Sequence, residues 1–267
     1  MAITTVDDIA AGLANAQDID FIKVMTAAKA AGSFQSAWIA PGFPGVGATP
    51  PANTAGSGYT CSSATAGAVP YVNGAVQNWL ARLAASCTQP GTIIIYDRLW
   101  HCLSTGFAAA TYTITTPGSL PARITDNGLD VEAWCEQNVV AGSASGTLTF
   151  NYLNANTGAS KAGVIAAVVS APVAGQIQPI PLAVGDTGVR SAVSFVNSAT
   201  WTSGTFGITL MKPLARIPVL GVGLGEVQDW AKTGLPKIPA DACLFAIFLA
   251  QNTTAATIIG TLDVIDK

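Results

Sequence analysis

The 267-residue sequence holds one histidine, five cysteines and 15 acidic residues, the side chains from which acid–base, nucleophilic or metal chemistry is usually built. His101 precedes Cys102 in Leu99-Trp-His-Cys102, and a thiol beside an imidazole is the raw material of a thiolate nucleophile and its base. Neighbours on a strand project to opposite faces, however, so this pair would not meet. The reading favoured for His101 is a hydrogen-bonded structural residue at a strand end. Gly185-Asp-Thr-Gly188 contains the tripeptide with which aspartic proteases build a carboxylate pair sharing one proton. That pair needs a second tripeptide, from this chain or a dimer mate, and the chain has one. Its setting, between Pro181-Leu-Ala-Val and Val189-Arg-Ser191, reads as a turn between strands.

The remaining candidates fare similarly. Gly221-Val-Gly-Leu-Gly225 is glycine-rich but lacks both the G-x-G-x-x-G spacing and the βαβ setting of a dinucleotide loop, so it reads as a flexible loop or a tight backbone contact. Asp130, Glu132 and Glu136 fall on one face of a strand, where carboxylates could hold Ca²⁺. Without an Asp-rich turn, a solvated or interface face is expected. Asp97 and Arg98 are adjacent on a strand and face opposite ways; either, if buried, needs a partner, and both read as structural or inter-subunit contacts. Trp38, Trp79, Trp100, Trp134, Trp201 and Trp230 could stack sugars, but they are dispersed and read as packing residues. Cys61, Cys87, Cys102, Cys135 and Cys243 form no C-x-x-C and, with a lone histidine, no usual zinc set; they read as small buried hydrophobes. No catalytic, cofactor-binding or metal-binding residues are assigned, no cofactor is expected, and the chain is not read as an enzyme.

The elements that would position these residues are mostly strands. Residues 5–32 read as two short helices, the first capped by Thr5 and the second carrying Ile19, Ile22 and Thr26 on one face. Residues 40–70 crowd Pro41, Gly42, Pro44, Gly45, Gly47, Pro50, Pro51, Gly56 and Gly58 into an arm that makes most sense lying across a neighbouring subunit. Val76, Leu80, Leu83 and Cys87 repeat at helical spacing before Pro90-Gly91. From there the pattern becomes β: 91–100, 111–116, 129–136, a hairpin of 146–153 and 163–169 around Asn154–Gly158, then 189–197, 205–211, 242–249 and 257–264. Between them, residues 213–239 are rich in Gly and Pro, with a short helix expected around 226–232. The fold class expected is mainly β, an antiparallel β-sandwich or jelly-roll-like domain over 91–267, preceded by short helical segments and a long Gly/Pro-rich arm over 1–90.

Composition then narrows the function. Half the residues are hydrophobic, yet only 10% are charged, against about 25% in an average soluble protein. The longest apolar run, residues 242–250, is far below the ~18 residues of a membrane span, so no membrane association is expected. The 12 basic residues are scattered and the net charge is −3, which argues against direct nucleic-acid binding. Residues 1–10 carry Asp7 and Asp8 and no basic residue, unlike a secretory signal. A neutral surface costs little to desolvate against a partner, so the composition favours a protein made to assemble.

Three segments carry a resemblance: Ile93-Ile-Ile-Tyr-Asp-Arg-Leu-Trp-His-Cys102, Ser36-Ala-Trp-Ile-Ala-Pro-Gly-Phe-Pro-Gly45 and Pro181-Leu-Ala-Val-Gly-Asp-Thr-Gly-Val-Arg-Ser191. They resemble a family of tailed-bacteriophage structural proteins over roughly residues 20–265. The resemblance implies a virion component, assembled in the host cytoplasm, whose partners are copies of itself and other capsid proteins in a symmetric homo-oligomer. A capsid decoration or cement protein is the first expectation. The alternatives are a major capsid protein, a tail tube or fibre protein, and a carbohydrate-binding β-sandwich module.

Overall fold

The structure is a computed structural model, which describes residues 3–26, 29–48, 52–53, 58–104, 109–114, 118–139, 146–166, 173–200 and 203–267. Among these residues the fold is mainly β: eighteen strands, two short helices and antiparallel sheets in a sandwich-like arrangement, as the alternating segments predict. The chain divides into two compact units, one made of residues 1–48, 62–97 and 214–267, the other of 49–61 and 98–213. Residue 90, where the expected boundary lay, is inside the first unit. The unit boundaries at 97/98 and 213/214 fall within the continuous strands Gly91–Ser104 and Thr205–Val219.

In the first unit one sheet runs Gly225–Gln228, Asn78–Cys87, Ala256–Asp266, Gln17–Met25, Gly42–Phe43, all antiparallel. Leu244–Ala250 pairs with Phe34–Ser36 and with the first half of Gly91–Ser104. Phe21, Leu83, Ile258 and Leu262 from the former sheet share a core with Ile93, Ile95, Leu244 and Phe248 from the latter strands. Each such burial is worth about 1.5–3 kcal/mol. Phe21 sits opposite Gly260, and a Cβ there would lie 2.4 Å from its ring, so glycine is what lets the aromatic lie across the strand.

Two expected helices are strands. Thr5 does cap a helix, Val6–Leu13, through a capping box with Asp8. The segment after it is the strand Gln17–Met25, with Ile19, Phe21, Lys23 and Met25 buried in alternation. A buried lysine hid that period of two. Asn78–Cys87 is also a strand. Arg82 pairs with Asp263 and Leu80 with Val264, leaving Ala81 as the extra residue of a bulge. That extra residue spaces the inward Leu80 and Leu83 three apart, which imitates a helical period. The arm is corrected in part as well. Of its described residues, Cys61, Thr65, Ala68 and Val69 are buried by this chain itself, with Val69 N–H donating to Leu244 O at 2.8 Å. Residues 49–51 and 54–57 lie outside the described residues.

In the second unit, Ser160–Ile165, Leu148–Asn154, Val189–Asn197 and Ala110–Thr113 form a four-stranded antiparallel sheet. The expected hairpin around Asn154–Gly158 is its first pair, but its returning strand is Ser160–Ile165 rather than 163–169, of which 167–169 lie outside the described residues. Thr205–Met211 pairs with Glu132–Val139, which pairs with Gln176–Ile180, a strand the sequence pattern did not signal. Phe150, Tyr152 and Phe195 from one set of strands and Trp100, Cys135, Phe206 and Ile208 from the other fill the second core. Phe195 meets Phe206 edge-on at 5.9 Å. The short helix expected around 226–232 is Trp230–Thr233, capped by the Asp229 carboxylate.

Candidate functional site

The densest polar constellation is inside the second unit. Arg98 and Glu136 are each 1% exposed and ion-paired through Arg98 Nη2 and Glu136 Oε2. The same guanidinium nitrogen reaches Thr209 Oγ1 at 3.2 Å, and Thr209 donates its hydroxyl hydrogen to Glu136 Oε2 at 3.1 Å. Arg98 also donates to His101 Nδ1, from Nε at 3.2 Å and Nη2 at 2.9 Å. A guanidinium can only donate, so Nδ1 is the accepting nitrogen and the ring hydrogen sits on Nε2. Arg98 and His101 are three apart on one strand and would face opposite ways in a regular strand. Their neighbours Leu99 and Trp100 both enter the core, so alternation breaks there and the two side chains converge.

This arrangement corrects the expectation for Glu136. It lies on neither a solvated nor an interface face, because its strand is covered on both sides; Ala133, Trp134, Cys135, Glu136 and Gln137 are all buried. Glu132 accepts from Trp134 Nε1 at 2.9 Å, and Asp130 is exposed in a turn, so the three expected carboxylates are not brought together. Among the described residues no group of three or more His, Cys, Asp or Glu is placed to hold a metal ion. Cys102 and His101 diverge as expected: the Cys102 thiol is in the core, where burial pushes it up to about 12. Burial first, then the Glu136 charge, raises Cys135 to about 12 as well. Neither thiol has thiolate character at neutral pH. All five cysteines are buried and unbridged.

The Asp-Thr-Gly segment is a turn, as predicted, held by its carboxylate. Asp186 accepts from Tyr152 Oη at 2.6 Å and Asn154 Nδ2 at 2.9 Å. These bonds, Asn154's first, hold its pKa below the ordinary value, whereas burial and Asp186 lift Tyr152 to about 12. Gly188 lies against the facing turn so closely that a Cβ would sit 2.1 Å from Gly128 O. The two turns border a groove of about 630 Å³ that also carries Asp130, Glu132 and Lys212, with Lys212 salt-bridged to Asp126 at 2.5 Å. Among the described residues, no aromatic side chain lines this groove. An Asp186 carboxylate held low and hydrogen-bonded is a poor general acid.

The other candidates are dispersed. Asp97 is buried and accepts from Cys243 N–H at 2.8 Å. In the loop around Gly221–Gly225, Leu220, Val222 and Leu224 are exposed. Trp38, Trp100 and Trp134 are buried, Trp79 and Trp230 are half-buried, and Trp201 lies outside the described residues. Sequence reasoning missed the convergence of Arg98, His101, Glu136 and Thr209, and also Lys23. That lysine, 2% exposed, donates from Nζ to Ala40 O at 3.2 Å and Gly45 O at 2.9 Å. The usable signal was a charge inside an apolar run, conspicuous in so neutral a chain.

No protein-family model and no curated protein matches this chain. Among solved structures, a chain from the structure of the infectious bursal disease virus Gx strain gives a TM-score of 0.19 at 8% identity, covering 93% of this chain and 79% of that one. At that TM-score the likeness carries no weight for fold or function.

Proposed function

We propose that this protein is a structural assembly subunit, a virion component of a tailed bacteriophage and most specifically a capsid decoration or cement protein acting through contacts with copies of itself and capsid proteins. The observation that carries the reading is the surface: it is poor in charge and displays large apolar side chains, among them Leu220, Val222, Leu224 and Val227 within eight residues, each more than half exposed. Apolar side chains gathered this way mark surfaces that meet other macromolecules. The groups best suited to chemistry, His101, Glu136, Cys102 and Asp186, are bound into packed sheets or a tied turn, which fits a scaffold. The resemblance of the three segments to phage structural proteins supplies the virion setting.

The test is the mass of the protein in solution by light scattering over a range of concentrations. The expected result is a defined homo-oligomer that Val222→Asp with Leu224→Asp converts to monomer while leaving the circular dichroism unchanged. A wild-type chain that stays monomeric at high concentration and does not bind purified phage shells would overturn the proposal.

A further inference from the structure

On the outward face of the first unit's main sheet, Asp18 of strand Gln17–Met25 is directly opposite Asp263 of strand Ala256–Asp266. Asp263 is in turn opposite Arg82 of Asn78–Cys87, whose Nε is ion-paired with Asp263 Oδ2. Asp263 is 3% exposed, and its second oxygen, Oδ1, is buried with no hydrogen-bond donor. Two features conflict here. Like charges directly opposite across an antiparallel pair are destabilising. A buried carboxylate oxygen without a donor is costlier still. A single proton between the two carboxyls resolves both.

The surrounding charges leave that role to this pair. On the first strand, Asp20 accepts from Thr261 Oγ1 at 2.7 Å. At the end of Asp263's own strand, Asp266 accepts from the amides of Ala75, Val76 and Gln77 at 2.7–3.0 Å. The helix Val6–Leu13 brings Gly12 against Ile265; its Asp7 is exposed and its Asp8 is held by Thr4 and Thr5. Arg82 and Asp18 are the charges that act on Asp263.

We propose that Asp18 and Asp263 share one proton across the strand pair, forming an acid-strengthened latch that fastens Gln17–Met25 to Ala256–Asp266. Asp263 keeps Oδ2 on Arg82, and the shared proton bridges its Oδ1 to the facing Asp18 carboxyl. The proton is taken from solvent as the pH falls and returned as it rises, and it belongs to the pair rather than to either residue. Burial raises Asp263 above its ordinary value, Arg82 opposes the rise and Asp18 adds to it. A raised carboxyl value means the folded state holds the proton longer than the unfolded chain, so the latch tightens on acidification and loosens toward neutrality.

Hydrogen exchange of the full chain between pH 4 and pH 7, corrected for intrinsic rates, tests this. Amides around residues 17–20 and 262–266 are expected to open roughly fivefold less often at the acid end, the size of one cross-strand charge conflict. In Asp18→Asn the amide donates to Oδ1 at every pH, so the low-pH protection should persist at pH 7 and the pH dependence vanish. Asp18→Ala, which removes the opposing charge without adding a donor, should keep only the weaker dependence that burial of Asp263 sets. Asp20→Asn should retain it. Wild-type protection that does not change with pH, or an Asp18→Asn protein that follows the wild-type profile, would overturn the latch.

Discussion

Two of the buried cations, Arg98 in the second unit and Lys23 in the first, are held in opposite ways. Arg98 in the second unit faces a carboxylate, a hydroxyl and an imidazole. Lys23 in the first is met by two backbone carbonyls. Both are almost wholly out of water, at 1% and 2% exposure, so both have lost their hydration. The guanidinium recovers it through a full countercharge and a fork of donors. The ammonium recovers only dipoles, and burial lowers its pKa from 10.5 to about 8. The same desolvation thus becomes a rigid network in one sheet and a titratable tether on the Pro41–Gly45 loop in the other.

The sharpest way to break this contrast is to take away one countercharge. Glu136→Ala leaves Arg98 buried with Thr209 and His101 and should cost about 3–5 kcal/mol of unfolding free energy, read from urea denaturation. The double variant Arg98→Met with Glu136→Leu removes the charge problem altogether and should lie within about 1–2 kcal/mol of wild type. If Glu136→Ala is as mild as the double variant, the network is not what organises that core.

Lys23 should respond to pH instead. Its folded value lies below its unfolded one, so the cost of burying the ammonium is fully present below pH 8. It is relieved as the pH rises from about 8 to 10.5, where the unfolded chain alone still holds the proton. Relative to Lys23→Met, wild-type stability should therefore climb by about 3 kcal/mol across that window. Parallel stability profiles for the two proteins would mean that the ammonium is better solvated than its carbonyl partners suggest.

The strand-rich fold was legible because buried and half-buried positions alternate cleanly from Leu148 to Asn154. It was illegible where the alternation was disguised. Lys23 occupies an inward position that pattern reading assigns to an apolar residue, and Ala81 shifts Leu80 and Leu83 to a spacing of three. Gln176–Ile180 has only two buried residues and a proline, too little to read as a strand. The polar network was hidden for a different reason: Arg98, Glu136 and Thr209 come from three strands, and a single sequence carries no register between them. The turn role of Gly185-Asp-Thr-Gly188 was readable because Gly and Asp are turn formers locally; that Asp186 ties Tyr152 was not.

That tie gives the smallest of the three effects and tests whether a partly exposed polar network behaves like the buried one. Tyr152→Phe removes the hydroxyl that donates to Asp186 and accepts from Ala183 N–H at 2.9 Å, while the ring stays in the core. The expected loss is about 1 kcal/mol, well below that of Glu136→Ala, because solvent can replace the lost partner at Asp186. Asp186 has a lowered folded value, so its contribution is present above its ordinary 3.8 and fades as the pH falls through the folded value. Tyr152→Phe weakens one of the two side-chain bonds behind that lowering, so the acid-side decline in stability should become shallower in the variant. A variant as damaging as Glu136→Ala would mean that the Asp186 turn is locked into the second core as firmly as the Arg98 network, and the contrast between buried and partly exposed polar contacts would not hold.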